Sequence, residues 1–371
     1  MTCPACTVAG MAAFAAGAVW VGAVFLSAVC TVVVPRGVPV RLTRLVFLTT
    51  RRVFALRSRF ADTYEERDRA MALYAPLTLI ALPVVWLAMT LVGCTAMFWS
   101  LGVHPVRAAF VTSGSSLLTL GFSRAPDLPT TLLAFGEAVL GLILLALLIT
   151  YLPSIYSAFA RREHQVAMVT ILAGSPPSQG EMLSRFHAIK GLNRMEEEVW
   201  KPWLDWFVDV EESHTSFAGL AFFRSPQPDR SWITAAGVVL DTASIYASTL
   251  DVPRNPEAEL CIRSGYLALR TIADLYSIPY DTDPSPSDPI SVSREEYDAL
   301  YDRLAEEGLP MRADREQAWR DFTGWRVNYD TVLVIMAGFV MAPYAPWVSD
   351  RSPVRRHRPP LTNRGRRRLA G

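Results

Sequence analysis

The residues best placed to do chemistry lie between positions 100 and 129. This stretch of 30 residues is too short for a folded domain and too apolar in its middle for an exposed loop. Residues 106–118 predict a weakly polar helix of about half the membrane-spanning length, and Thr119-Leu120-Gly121-Phe122-Ser123 follows it directly. Irregular backbone at membrane depth is tolerated only where protein or a water-filled path satisfies its carbonyl groups. The pattern therefore predicts a re-entrant helix and a strand whose carbonyls line a pore; the alternative is a buried structural loop.

Three long apolar runs surround this region and must position it. The chain has 371 residues, of which 51% are hydrophobic and 19% charged, with a net charge of +1. These totals exclude a disordered chain and a protein that binds nucleic acid by bulk charge. Residues 8–34, 74–99 and 130–152 contain a single charged side chain, Glu137, and each exceeds the roughly 20 helical residues that cross a bilayer. The sequence predicts three transmembrane helices and excludes a single soluble enzyme.

The distribution of charge predicts an orientation in the cell membrane. Residues 35–73 carry nine arginines against four acidic residues, so by the positive-inside rule this linker faces the cytoplasm. The amino terminus then lies outside, and residues 161–350, with 17 basic and 29 acidic side chains, lie in the cytoplasm. The predicted domains are a first transmembrane span (1–36), a basic cytoplasmic linker (37–73), a pore module (74–160), a helical cytoplasmic domain (161–350) and a disordered basic tail (351–371).

The order of elements in residues 74–160 resembles the pore domain of the potassium channel family, in which two spans are joined by a pore helix and a filter. The resemblance rests on a span, a half-length helix, Thr119-Leu120-Gly121-Phe122, Pro129-Thr130-Thr131 and a second span. It implies a pore helix at 106–118, a selectivity filter at 119–123 and an inner helix at 130–160. In such a filter, backbone carbonyls and the threonine hydroxyl replace the water shell of the ion, and glycine allows the required backbone conformation. Because one unit supplies a quarter of the filter, the resemblance also implies a homotetramer that conducts potassium or other monovalent cations.

Two filter residues depart from the family pattern, which typically reads Thr-Val-Gly-Tyr-Gly or Thr-Ile-Gly-Phe-Gly. Leu120 stands where a β-branched residue is usual, and Ser123 stands where the second glycine would be. A side chain at Ser123 disfavours the backbone geometry of the outer filter, so we expect cation conduction more firmly than strict potassium selectivity. The alternative function is a non-conducting membrane sensor or scaffold with a degenerate pore-like hairpin, and Ser123 is its best support.

The third span carries residues with predicted supporting roles. The candidates for a gating hinge are Gly136, Gly141 and Pro153. Close helix packing is the alternative role for the two glycines. Glu137 is an ionisable side chain within a span, where burial of a charge is expensive. We expect it to support the filter from behind by bonding to hydroxyls such as those of Thr112 and Ser116; the alternative is a glutamate in a wet vestibule.

Residues 161–350 predict an all-α domain, which makes the whole chain all-α. Pro- and Gly-rich breaks separate its helices, Ser293-Arg-Glu-Glu296 is a capping box that opens a helix to about residue 307, and residues 314–341 predict a further helix. Three tryptophans at helical spacing predict a core face: Trp200, Trp203 and Trp206. The acidic run at 209–214 is expected to be a solvated face rather than a cation site. Since no nucleotide-binding glycine motif or nucleophile triad is visible, we expect neither an enzyme nor a cofactor.

The carboxyl-terminal tail has eight arginines, one histidine and no acidic residue within positions 351–371. Such a run predicts disorder and, as in the basic linker, attraction to anionic lipid headgroups; a solvated tail is the alternative. Nucleic acid is not expected as a partner, because the chain is held at a membrane. Of the five cysteines only Cys3 and Cys6 could pair, so we expect no disulfide framework.

Overall fold

The computed structural model describes residues 4–34, 41–58, 69 and 71–351. All named secondary-structure elements in these residues are helices. The α-helices are α1 (Pro4–Val32), α2 (Arg41–Ser58), α3 (Tyr74–Ser100), α4 (Val106–Leu117), α5 (Leu128–Ala173), α6 (Gln179–Arg185), α7 (Lys201–Ser216), α8 (Trp232–Ser248), α9 (Pro256–Leu275), α10 (Arg294–Glu306), α11 (Arg315–Arg326) and α12 (Asp330–Phe339). The predicted all-α class is confirmed for these residues. They form two compact units, one within Met1–Ala158 and Ser216–Phe223, the other within Phe159–Thr215 and Arg224–Gly371.

Helices α1, α3 and α5 are long and apolar enough to cross a membrane. This confirms the three predicted apolar runs and agrees with a membrane protein. The third run was predicted to end at residue 152, whereas α5 continues to Ala173. It passes through Pro153, whose fixed φ suits a helix although one backbone donor is lost. The helix ends before Gly174, which takes the positive φ of +80° that is common just after a helix.

Helices α1 and α3 approach each other closely through glycines. A Cβ added to Gly17 would lie 2.8 Å from the carbonyl oxygen of Gly93, and one added to Gly93 would lie 2.6 Å from a methyl group of Val21. The indole Nε1 of Trp20 donates to the carbonyl of Met89 at 3.0 Å. Small residues permit such an approach, which increases dispersion contact between helices that lipid does not drive together.

The short helix α4 is packed into the first unit by a buried apolar cluster. The cluster joins α1, α3, α4 and α5, and its buried members are Val21, Cys94, Met97, Phe98, Val103 and Ala109. Partly buried side chains of α5, such as Leu133 and Leu140, pack against it. This cluster holds α4 and the residues that follow it in a defined position relative to the long helices.

The second unit has a conventional helical core. All but one residue of α8 are buried, and the predicted core tryptophans are no more than 4% exposed. The predicted capping box is present, since the Ser293 hydroxyl accepts from the Glu296 N–H and the Glu296 carboxylate accepts from the Ser293 N–H. The helix predicted at 314–341 is divided into α11 and α12. The reason is Asn328, whose side-chain amide bonds to the last-turn carbonyls of α11 and so competes with backbone hydrogen bonding.

A buried ionic network joins α8, α11 and α12. Arg326 is fully buried and forms ion pairs with Asp241 and, at 2.8 Å, with Asp330. It also donates to the carbonyl of Trp347 at 2.5 Å. The Tyr329 hydroxyl donates to Asp241 at 2.9 Å. Sequence reasoning did not predict this network: Arg326 and Asp330 are four residues apart, but Asp241, which joins them, is 85 positions from Arg326.

Parts of two predicted segments lie outside the described residues. The tail at 351–371 is described only at Arg351, whose guanidinium donates to the Ser291 carbonyl at 2.5 Å and pairs with Glu296. In the linker, α2 is described, whereas residues 37–40, 59–68 and 70 are outside. The proposed pair of Cys3 and Cys6 is outside as well, because Cys3 and the Cys6 side chain are not described.

Candidate functional site

Helix α4 and residues 119–123, which the sequence predicted as a strand and which are called the strand here, form the candidate site. α4 has 12 residues, a length of about 18 Å at the rise of an α-helix. This is a little over half of a hydrocarbon core about 30 Å thick. The helix ends one residue earlier than predicted, and residues 119–123 have no regular secondary structure.

The strand turns its N–H groups toward α4. Leu120 and Gly121 both donate to the carbonyl oxygen of Ser115, at 2.8 and 3.2 Å. The N–H of Ser123 donates to the Ser115 hydroxyl at 3.0 Å. Thr119 has φ of +54° and Gly121 has φ of +70°, whereas Leu120 between them has no positive φ. Such an alternation turns successive N–H groups to one side of the backbone, and here a single carbonyl receives two of them.

The carbonyl oxygens of the strand point the other way. In a trans peptide the C=O and the following N–H are antiparallel. The oxygens of Thr119, Leu120 and Phe122 therefore point away from Ser115, to which the following N–H groups are bonded. Among the residues that the structure describes, no donor reaches a carbonyl oxygen of residues 119–122. The oxygens of Thr119, Leu120 and Phe122 are therefore open to a ligand from outside the described residues.

Ser123 attaches the end of the strand to α4. Its hydroxyl lies 2.9 Å from that of Thr112, and its N–H is bonded to Ser115 as described above. The sequence predicted that a side chain at this position disfavours the outer filter geometry. The hydroxyl instead supplies a contact that a glycine could not make. Because Ser123 has no positive φ, the alternation of the backbone does not continue to it.

Glu137 on α5 lies against α4 and is 1% exposed. The Ser113 hydroxyl donates to its Oε1 at 2.5 Å, and the Ser116 hydroxyl donates to its Oε2. Burial of a carboxyl group is costly unless such donors are present. Ser116 was a predicted partner of Glu137, whereas Thr112 was predicted to be one and contacts Ser123 instead. Ser113 was missed, although it lies on the same helix.

The three hinge candidates have different surroundings. A Cβ added to Gly141 would lie 3.2 Å from the carbonyl carbon of Leu117 and closer still to its oxygen, so α5 can approach the end of α4 only through glycine. A Cβ added to Gly136 would meet no atom within 4 Å. Pro153 lies inside α5. Close packing therefore explains Gly141, and the gating hinge stays a prediction.

Apolar side chains around the strand are exposed on the described chain. On the strand itself, Leu120 is 61% and Phe122 is 66% exposed. On the neighbouring helices and turn, side chains that are at least half exposed include Phe110, Leu118, Leu132, Phe135 and Val139. Apolar surface of this extent indicates contact with lipid or with further protein.

Asp127 is the nearest acidic residue after the strand, and it caps α5. Its carboxylate accepts from the Thr130 N–H at 3.0 Å and from the Thr130 hydroxyl at 2.5 Å. These hydrogen bonds from Thr130 lower the pKa of Asp127 below its ordinary value. Asp127 therefore carries a negative charge at neutral pH, but its role is to cap the helix rather than to line the strand.

The other candidates from the sequence lie in the second unit and do not form a site. Among the described residues, no group of three or more His, Cys, Asp or Glu side chains could hold a metal ion. In the acidic run, Asp209 pairs with Arg161 at 3.1 Å, and His214 is fully buried with Nε2 3.3 Å from Arg162. The pKa of His214 is well below its ordinary value, because the ring is buried and the Arg162 guanidinium is close.

The contact between Arg162 and His214 was missed by sequence reasoning. The two residues are 52 positions apart, and Arg162 was interpreted only as a cytoplasmic flanking charge. Their chemistry is that of a neutral imidazole accepting from a guanidinium, since His214 Nδ1 lies 2.9 Å from the Val210 carbonyl and must donate to it.

Searches against protein-family models, curated proteins and solved structures find no match to this chain, so the function is inferred from the residues and their geometry.

Proposed function

We propose that this protein is the subunit of a membrane cation channel. Four copies surround one pore, and α4 with residues 119–123 re-enters the membrane from the outer side. The carbonyl oxygens of Thr119, Leu120, Gly121 and Phe122, with the hydroxyl of Thr119, are the ion ligands. The permeating ion is potassium or another monovalent cation, and the proposal requires no cofactor.

The proposal rests on the difference in hydrogen bonding between the N–H groups and the carbonyl oxygens of the strand. The N–H groups of Leu120, Gly121 and Ser123 are bonded to Ser115, and the carbonyl oxygens of residues 119–122 have no donor in the described part of the chain. In a membrane such oxygens are costly unless water or cations meet them. A pore between subunits supplies both, and it also covers the exposed side chains of Leu120 and Phe122.

The direction of α4 supports the choice of a cation. The strand follows the carboxyl end of this helix directly. The carboxyl end of a helix carries partial negative charge from its unpaired carbonyl groups. A cation near Leu118 and Thr119 is therefore favoured, whereas an anion is repelled.

Orientation and lipid contacts are part of the same proposal. The arginines of the linker hold α2 at the inner leaflet by the positive-inside rule. α2 contains no acidic residue, and one face of it exposes apolar side chains, with Leu45 at 57%, Val53 at 67% and Leu56 at 57% exposure. An apolar face beside arginines suits a membrane surface that contains anionic lipid. The tail at 351–371 is proposed to bind the same headgroups, and the second unit lies in the cytoplasm.

Flux measurements in liposomes test the proposal. Purified full-length protein is reconstituted, and potassium and sodium fluxes are measured for the wild type and for Gly121→Val. Gly121 has a positive φ, which a β-branched side chain strongly disfavours, so valine there should displace the carbonyls and abolish flux. Gly22→Val in α1 is the matched control, because a Cβ at Gly22 meets no atom within 4 Å.

The outcomes distinguish a channel from its rival. Flux in the wild type and in Gly22→Val, with its loss in Gly121→Val, supports the channel. Equal leakage in all three proteins, or none in any of them, would refute it and leave a non-conducting sensor or scaffold. A measured mass of four chains in detergent is expected, and a monomer that conducts would contradict the shared pore.

A further inference from the structure

Residues 216–223, which read Ser-Phe-Ala-Gly-Leu-Ala-Phe-Phe, belong to the first unit by their packing. The residues before Ser216 and after Phe223 belong to the second unit. The chain therefore crosses between units three times, once within α5 and twice at the ends of this segment. The two units are therefore joined covalently at three points.

Two aromatic rings of the 216–223 segment contact α5 on either side of Pro153 in the sequence. Phe217 meets Tyr151 edge to face with ring centroids 5.5 Å apart. Phe223 meets Tyr156 with centroids 5.8 Å apart and ring planes at 90°. Pro153 lacks the N–H that would bond to the preceding turn, so a helix bends most easily at such a residue. The two ring pairs thus hold the part of α5 that is easiest to bend.

The middle of the segment contacts α2 and α3. A Cβ added to Gly219 would lie 2.8 Å from the ring carbon Cζ of Phe47 on α2, so the backbone of Gly219 lies directly against that ring. Phe222 meets Tyr74, the first residue of α3, with centroids 5.7 Å apart. The guanidinium of Arg51 lies 5.8 Å from the centre of the Phe222 ring. One short segment therefore contacts three helices of the first unit.

We propose that the 216–223 segment positions the part of α5 around Pro153 relative to α3 and so sets the equilibrium between the open and the closed pore. Phe217 and Phe223 are the positioning residues, and they act through α5 without touching the ion. This inference rests on the proposed channel function, because it concerns the gating of that pore. It requires the ring contacts to be stronger in one state of the pore than in the other, because a contact of equal strength in both states shifts no equilibrium.

Single-channel recordings from the full-length protein in planar bilayers test this inference. The variants are Phe217→Ala, Tyr151→Ala and the double variant. Each single variant is expected to change the ratio of open to closed time by about two- to tenfold, the effect of an aromatic pair of ordinary strength. The double variant should change it no more than the larger single change, because both substitutions remove the same contact.

Controls separate positioning from a general structural role. Unitary conductance and the ratio of potassium to sodium permeability should not change, because residues 119–122 are untouched. Val208→Ala on α7, where the side chain is 55% exposed, should leave the open-to-closed ratio at the wild-type value. If Phe217→Ala does not assemble, Phe217→Leu keeps an apolar side chain without the aromatic edge and provides the same comparison.

The possible failures have different meanings. No current from the wild type would refute the channel function itself. Current from the wild type together with unchanged open-to-closed ratios in assembled Phe217 and Tyr151 variants would refute only the positioning role. Additive effects in the double variant, or altered conductance and selectivity, would also overturn it, because the residues would then act separately or on the filter.

Discussion

Replacing Gly141 by alanine tests whether α5 must lie directly against the end of α4. A Cβ at position 141 would be 3.2 Å from the carbonyl carbon of Leu117 and closer still to its oxygen. Leu117 is the last residue of α4, and the obstacle is backbone, which cannot rotate away as a side chain can. Gly136, in the same helix, is the matched control, because a Cβ there meets no atom within 4 Å.

The magnitude follows from comparing the two variants. A change from glycine to alanine inside a helix gains about 1 kcal/mol of helix propensity, and this gain cancels because both variants make it. Overpacking costs about 1–3 kcal/mol, and a clash with backbone belongs in the upper half of that range. Gly141→Ala should therefore unfold with a free energy about 2–3 kcal/mol lower than that of Gly136→Ala. Cation flux should also fall only in Gly141→Ala, because moving Leu117 moves the strand that begins at Thr119.

Denaturant unfolding in mixed micelles measures this difference, and liposome flux measures its effect on the strand. Equal unfolding free energies for the two variants would refute the reasoning from packing. A change in gating by Gly141→Ala without loss of stability would favour a hinge at Gly141 over close packing.

Three further predictions concern other polar contacts of the fold. Ser123→Ala and Thr112→Val remove the same pair of hydroxyls, so each should lower the unfolding free energy by about 1 kcal/mol, and the double variant should cost no more than the larger single one. Burial, with the Arg162 guanidinium nearby, keeps the pKa of His214 well below its ordinary value. Below the unfolded pKa of about 6.5, His214 binds a proton in the unfolded protein but not in the folded protein. The free energy of unfolding is therefore at its full value above that pH and decreases as the pH falls below it, by up to about 1.4 kcal/mol per pH unit. Unfolding measured at pH 7.5 and pH 5 should show this loss in the wild type and a smaller loss in His214→Leu. Arg326→Met leaves two buried aspartates without their cation and should cost about 3–5 kcal/mol in unfolding free energy.

Matched variants isolate these effects. A His214→Leu protein with the full loss at low pH would contradict the assignment to His214. Arg320→Met, on the exposed surface of α11, should change the unfolding free energy by less than about 0.5 kcal/mol. Equal costs for Arg326 and Arg320 would argue against the buried network. Additive costs for Ser123 and Thr112 would show that the two hydroxyls act independently.

Local patterns were enough to predict the three long apolar helices. A hydrocarbon core requires about 20 consecutive apolar residues, and this requirement can be checked at each position without knowing the fold. The same is true of the capping box at Ser293, where both partners lie within one turn. The inner helix was predicted at 130–160, and its continuation to Ala173 was missed, because the residues after 160 are polar and were assigned to the next domain.

Within the candidate site, the sequence predicted one hydroxyl partner of Glu137, Ser116, but missed Ser113 and assigned Thr112 to Glu137 although it contacts Ser123. Ser113 and Thr112 are neighbours on α4, yet about 100° of rotation separates them around the helix axis. That rotation directs Ser113 to Glu137 and Thr112 to Ser123. The rotation of α4 depends on packing against α3 and α5, which no short pattern specifies.

The sequence by itself determined three apolar runs, the helical class of the described residues and the position of a short helix with a glycine-containing segment after it, between two of the runs. Only the tertiary structure decided that Ser113 bonds to Glu137, that His214 faces Arg162, and that residues 216–223 lie with the apolar helices. The physical reason is the separation along the chain over which each property is determined. Length and hydrophobicity are local properties, whereas a contact such as that between Phe222 and Tyr74 depends on how helices far apart in the chain pack together.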